Sequence, residues 1–162
     1  MKVTSNKVYF YSKDEVFSNQ YLFDMIVDGI LFNSVEQYMM YRKAKLFNDI
    51  ETMKKIIKED IPQNQKILGR QVKYFDSGIW DDNKIGIVYT GCYNKFINTE
   101  LEPIIEEYSG YEFVEASPKD TVWGIGLSID DEDIVNEEKW RGENLLGKIL
   151  TKVALEAKKI KK

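Results

Sequence analysis

The sequence predicts an α+β chain dominated by helices, and three features of the residue pattern point that way. Several segments carry apolar residues at helical spacing, or open on helix-start residues. A few short runs are rich in aromatic and β-branched side chains and read as strands. Between two of these runs lies Asp28-Gly29, a strong two-residue hairpin signal.

At 162 residues the chain is long enough to bury a real core, and one domain over 1–162 with its core at about 8–155 is expected. Hydrophobic residues make up 43% and charged residues 31%, a soluble globular balance and not a disordered one. No apolar run approaches the roughly 20 residues of a membrane span. Met1 to Asn6 leads into no signal-peptide core, and the single Cys92 cannot staple the fold. A cytoplasmic protein without a membrane partner is therefore expected, and the Lys- and Ile-rich composition suggests a phage or bacterial source. Net charge is −4, so nucleic-acid contact would have to come from a local patch.

The chain contains no histidine. With the commonest metal ligand missing and one cysteine present, a zinc site is disfavoured, and Ser-His-Asp and Cys-His arrangements are excluded. Acid–base work in an enzyme of this composition falls to carboxylates, lysine, tyrosine or bound water.

In chain order, Val8 to Tyr11 reads as a strand, and Ser12 to Asn19 as a polar loop whose Ser18 and Asn19 can hydrogen-bond backbone or ligand. The hairpin over Asp24–Phe32 leads into a helix from Asn33 to Phe47, with Asn33 and Glu36 in the spacing of a capped start. Apolar residues cover most of this helix, as on one buried from several sides. Glu36, Met40, Lys43 and Phe47 nevertheless share a face, and a buried charge must be paired, neutralised or turned to a wet cavity. The plain structural alternative is that Glu36 caps the helix and Lys43 snorkels to solvent.

Asp49 to Glu59 reads as a second helix, buried through Met53, Ile56 and Ile57. Pro62 opens a third, over Gln63–Val72, and Arg70 near its end is either a surface charge or an anion clamp. Asp76-Ser77-Gly78 reads as a turn before a long helix from Asp81 to Asn98, and a short helix follows at about Glu100–Tyr108. Phe113–Leu127 reads as two strand-like pieces around a Ser-Pro-Lys-Asp turn. Trp123, Gly124 and Gly126 there place a flat ring beside residues that let backbone approach a ligand. Asp130–Asp133 is an acidic loop without the EF-hand pattern. Gly142 and Asn144 at the start of the last helix offer either N–H groups to a phosphate or a structural cap. The Lys158–Lys162 tail is expected to fray.

Taken in order, Phe17-Ser18-Asn19, Ser34-Val35-Glu36-Gln37-Tyr38 with Lys43-Ala44, Gly69-Arg70, Val114-Glu115-Ala116-Ser117 with Asp120 and Trp123-Gly124, and Asn144-Leu145-Leu146-Gly147 resemble the NADAR family, whose bacterial members are called YbiA-like. The resemblance runs from about Tyr9 to Val153. It implies a compact, helix-rich α+β domain with a small sheet that hydrolyses N-glycosidic bonds without metal or organic cofactor. The implied substrates are ADP-ribosylated guanine in nucleic acid or nucleotides, or ribosylamino intermediates of riboflavin synthesis. A catalytically silent ADP-ribose-binding module is the third reading.

The family pattern assigns catalysis to Glu36, Lys43, Glu115 and Asp120, with Trp123 stacking on a base or adenine ring. Ser18, Asn19, Arg70, Gly124, Gly126, Asn144 and Gly147 complete the implied substrate-binding set, with Arg70, Asn144 and the glycines at the pyrophosphate. Some bacterial relatives carry histidine where this chain has Ala116, so histidine is not required for the shared chemistry.

Overall fold

A computed structural model describes residues 1–160. In chain order the elements are β1 (Lys2–Val3), β2 (Lys7–Phe10), β3 (Met25–Val27), β4 (Ile30–Phe32), α1 (Val35–Leu46), α2 (Ile50–Lys58), α3 (Pro62–Gly69), α4 (Ser77–Phe96), α5 (Glu102–Glu106), β5 (Glu112–Glu115) and α6 (Leu145–Ile160). Short 3-10 turns occupy Glu132–Val135 and Glu137–Lys139. The architecture is the helix-rich α+β type expected from the sequence. The chain divides into two compact units, one of residues 1–18 and 96–160 and the other of Asn19–Lys95.

In the first unit, β2 is the middle strand of the order β1-β2-β5. It pairs antiparallel with β1 and parallel with β5, in the register Lys7↔Glu112 to Phe10↔Glu115. A parallel pair needs a long connection, and here residues 11–111 lie between the two strands. Val8, Phe10 and Phe113 point to one side, and Phe17 packs edge-on against Phe10 and Phe113 with centroids 6.0 and 4.9 Å away. Tyr9 and Val114 point the other way, into a cluster with Ala116, Ile125, Leu127 and Ile134. Both faces of the strands are thus buried, so they read as unbroken apolar runs and not as alternation. α6 covers β5, and Val153, Ala154 and Ala157 on its inner side are fully buried.

The second unit is a helical layer around α1. Its two-stranded sheet is the expected hairpin, with Met25↔Phe32 to Val27↔Ile30 in register. Asp28 at φ 52° and Gly29 at φ 78° supply the two left-handed residues that a tight hairpin turn requires. α1 packs on α2, α3 and β4, and Val35 through Met40 are all buried. Gly91 of α4 lies against it, where a Cβ would come within 3.1 Å of Tyr38 and Val35.

Four expectations are corrected. The cap of α1 is Ser34, not Asn33: the Ser34 hydroxyl accepts the Gln37 N–H at 3.0 Å, and the Gln37 side-chain oxygen accepts the Asn33 N–H at 2.7 Å. Glu36 is therefore not the capping side chain, because buried Gln37 and Gln65 bind the ends of α1, α2 and α3 together and place the box one residue later. α4 starts at Ser77, since Asp76 caps it through the Ile79 N–H at 3.0 Å, and the expected turn is the helix's first turn. Thr121–Leu127 is not a strand; its carbonyls are directed to the start of α6. α6 runs as a helix through Lys158 and Lys159 to Ile160, where fraying was expected, while Lys161 and Lys162 lie outside the described residues.

Candidate active site

Glu36 is the second residue of α1 and is only 5% exposed. Its N–H donates to the Asn19 carbonyl at 2.9 Å, which ties the incoming loop to the helix start. Two turns further on the same face stands Lys43, half-buried, with its ammonium 4.7 Å from the Phe75 ring centre and 5.6 Å from that of Trp80. Met40 lies between them and packs against Gly69 of α3, where an added Cβ would sit 1.8 Å from the Met40 sulfur and displace it. That close approach brings Arg70, the C-cap of α3, alongside the face. Burial holds the Lys43 ammonium below the usual lysine range, and Arg70 pushes it further down while Glu36 opposes both.

Asn19 reaches α4 as well, where its side-chain oxygen lies 3.8 Å from the Cys92 sulfur. One turn beyond Cys92 is Lys95, 2% exposed, with its ammonium 5.2 Å from the Tyr21 ring centre. Burial lowers it to about 7, with the Cys92 sulfur acting weakly the other way. A buried lysine shifted this far is a functional-site candidate. Sequence reasoning passed over it, although the signal was present. Lys95 follows Val88 and Cys92 on the inner stripe of its helix, the same anomaly that singled out Glu36. Trp80 was missed because the helix start was placed after it.

Asn19, Glu36, Lys43 and Arg70 fall in the second unit; Ser18, Glu115, Asp120, Trp123, Gly124, Gly126, Asn144 and Gly147 fall in the first. Within the first unit, Glu115 ends β5, and the Asn144 side chain accepts its N–H at 3.0 Å while donating to the Phe113 carbonyl at 3.0 Å. Asp120 accepts the Val122 and Trp123 N–H groups at 2.9 and 2.8 Å, which fixes the backbone that carries the half-buried Trp123 ring. One hydrogen-bonded loop thus joins Glu115, Asp120, Trp123 and Asn144.

The phosphate reading of the last helix start is corrected by the same bonds. The N–H groups of Asn144, Leu145 and Leu146 donate to the carbonyls of Gly124, Val122 and Trp123, and that of Gly142 to Ile125. The donors that an anion would need are engaged. The glycines have packing reasons. A Cβ on Gly147 would meet the Phe113 carbonyl at 2.1 Å, and one on Gly124 would meet the Glu115 carbonyl at 2.9 Å. Gly126 has φ 72° and lies against Arg141. Buried Ser18 belongs to the turn after Glu15, whose carbonyl accepts its N–H at 3.0 Å.

Among the described residues no group of three or more metal-type side chains converges, and no helix is long and apolar enough to cross a membrane.

Comparison with known proteins bears on this arrangement. The model of the NADAR domain matches residues 8–156. The chain is 45% identical over 121 residues to an N-glycosidase of Acanthamoeba polyphaga mimivirus, an overlap of 74% of this chain and 71% of the viral protein. It is 38% identical over 125 residues to protein irg-1 of Caenorhabditis elegans, covering 75% of this chain and 59% of the nematode protein. The NMR structure of the E. coli protein YbiA superposes with a TM-score of 0.78 at 22% identity, over 99% of this chain and 89% of YbiA, so the two share a fold. With the domain model spanning nearly the whole sequence and a relative this similar across most of its length, the chain belongs to the NADAR domain family.

Proposed function

We propose that this protein hydrolyses an N-glycosidic bond, and that its substrate is ADP-ribose attached to a guanine base. The observation that carries the reading is a buried Glu36 and a half-buried Lys43 two turns apart on one face of α1, the lysine beside the rings of Phe75 and Trp80. The similar mimivirus protein bears the name N-glycosidase, which supports the reaction class. No metal is invoked, in keeping with a chain that has no histidine and one cysteine.

Cleavage breaks the bond between C1 of the ribose and the base nitrogen. The electron pair leaves with the nitrogen, which takes up a proton, and water supplies the hydroxyl that ends on C1. Positive charge grows on the sugar meanwhile, and a carboxylate held beside it lowers the barrier. Glu36 is assigned that work, or the activation of the attacking water. Within the first unit, Asp120 is a positioning residue that sets the Trp123 loop.

Lys43 acts in one of two ways. Its amine attacks C1 and gives a ring-opened Schiff base that water hydrolyses, or its ammonium stabilises the departing charge. The lowered lysine favours attack, because the free amine is then populated closer to neutrality. Borohydride during turnover traps an adduct at Lys43 if the amine attacks, and leaves none if it acts by charge.

The test of the whole reading is release of base or sugar from ADP-ribosyl-guanine DNA, run beside the ribosylamino-pyrimidine phosphates. Glu36→Gln and Lys43→Ala should each lower turnover by about 10²-fold or more. Turnover of only the pyrimidine phosphates would replace the substrate. Binding without turnover would make the protein an ADP-ribose module, and near-normal rates in both variants would remove the site.

A further inference from the structure

The loop between α3 and α4 presents two exposed aromatic rings, Tyr74 and Phe75. Buried Asp49 accepts the Lys73 N–H at 2.9 Å and so pins the loop just before the rings. The next residue, Tyr74, has φ 62° and is 82% exposed. The other non-glycine residues with positive φ, among those described, are Asp28, Asn48, Asn98 and Asn144, side-chain types that tolerate this conformation. Tyr74 is the one bulky exception among the described residues, and backbone strain of this kind clusters at ligand-contacting sites. Its ring stacks on no other ring among the described residues.

Phe75 follows, 47% exposed, with one edge on Phe47 at 5.4 Å and the Lys43 ammonium 4.7 Å from its centre. Arg70 and Lys73 in the same loop are exposed. Of the loop's acids, Asp76 is engaged in capping α4, and Glu51 of α2 lies 4.0 Å from Lys73. Exposed rings beside Lys43, Arg70 and Lys73 form the local basic and aromatic patch that an overall charge of −4 requires for nucleic-acid contact.

From this geometry we infer that Tyr74 and Phe75 are a stacking ledge for a base of a single-stranded polynucleotide, adjoining the nucleotide that is cleaved. The inference rests on the proposed function and deepens it: the preferred substrate is a modified base within a strand, not a free nucleotide. Stacking suits this role because every base offers a flat face, so the ledge holds a strand without reading its sequence. Arg70 and Lys73 supply charge for the phosphates on either side.

The test measures binding of labelled, unmodified single-stranded DNA and RNA of about 12 nucleotides by fluorescence anisotropy. Tyr74→Asn removes the ring while keeping a residue that accepts positive φ, and Tyr74→Phe keeps the ring. The wild type should bind, more weakly as salt rises, with Tyr74→Phe within about twofold of it and Tyr74→Asn about tenfold weaker. In cleavage, Tyr74→Asn should lower by a similar factor the ratio of kcat/KM for modified oligonucleotide over modified mononucleotide. No strand binding by the wild type, or equal affinity in Tyr74→Asn, overturns the ledge. Because the strands are unmodified, binding decides the ledge even if neither modified substrate is cleaved, an outcome that removes the proposed function alone.

Discussion

Replacing Lys95 by Met should flatten the dependence of stability on pH just above neutrality. Lys95 is 2% exposed, and burial lowers it from 10.5 to about 7. Between those values the unfolded chain holds a proton on this side chain that the folded protein does not. Stability therefore rises with pH, by up to about 1.4 kcal/mol per unit. From pH 7 to pH 9 the gain is roughly 2 kcal/mol, because half of the group is already neutral at the start. Methionine has a similar length and no charge, so the variant keeps the packing and loses the slope. Lys43, lowered in the same direction, contributes its own rise to both proteins, and the difference between their profiles isolates Lys95. Urea unfolding at pH 7, 8 and 9 reads the effect directly. Parallel stability profiles for wild type and Lys95→Met would show that Lys95 stays charged in the folded protein and would refute the reasoning.

Three further variants test the packing and the backbone through stability alone. Asn144→Ala removes two buried hydrogen bonds that hold β5, leaving the Glu115 N–H and the Phe113 carbonyl unmatched, and should cost about 2–4 kcal/mol in thermal unfolding. Gly147→Ala drives a methyl against the Phe113 carbonyl and should cost about 1–3 kcal/mol in the same experiment; wild-type stability in either variant would contradict the account of the α6 start. Tyr74→Asn should be more stable than wild type by about 1 kcal/mol, since the left-handed backbone strain goes with the ring, and a fall in melting temperature would mean that Tyr74 packs in a way the structure does not show.

Local chemistry made much of the fold legible. Asp28-Gly29 announced its hairpin because two left-handed residues in succession have few other uses. Asp49 and Pro62 marked helix starts that stand where the residues put them. The failures occurred where distant chain decides. Asn33 and Ser34 are both good caps, and the choice fell to Ser34 through Gln37 and the buried Gln65, which no local rule weighs. Thr121–Leu127 carries strand-like residues, yet its carbonyls satisfy the open N–H groups of α6, a demand visible only once the helix is in place.

The candidate site divides along the same line. Glu36 and Lys43 were recognisable as charges on an apolar helix, and Lys95 broke the same rule on another helix without being seen. A helix has few physical reasons to bury an ammonium, since desolvation opposes it and apolar residues of equal length fill the space at lower cost. The inner face of α4 carries such a group at Lys95, held to about 7 beneath Tyr21 and one turn from the Cys92 that reaches Asn19, whose carbonyl takes the Glu36 N–H. Asn19 thus links the α4 turn that carries Cys92 and Lys95 to the backbone of the proposed catalytic carboxylate within a single unit. If Lys95 serves that carboxylate and not the fold alone, Lys95→Met should shift the pH profile of kcat while leaving the protein folded. An unchanged profile, with turnover intact, would return Lys95 to the core.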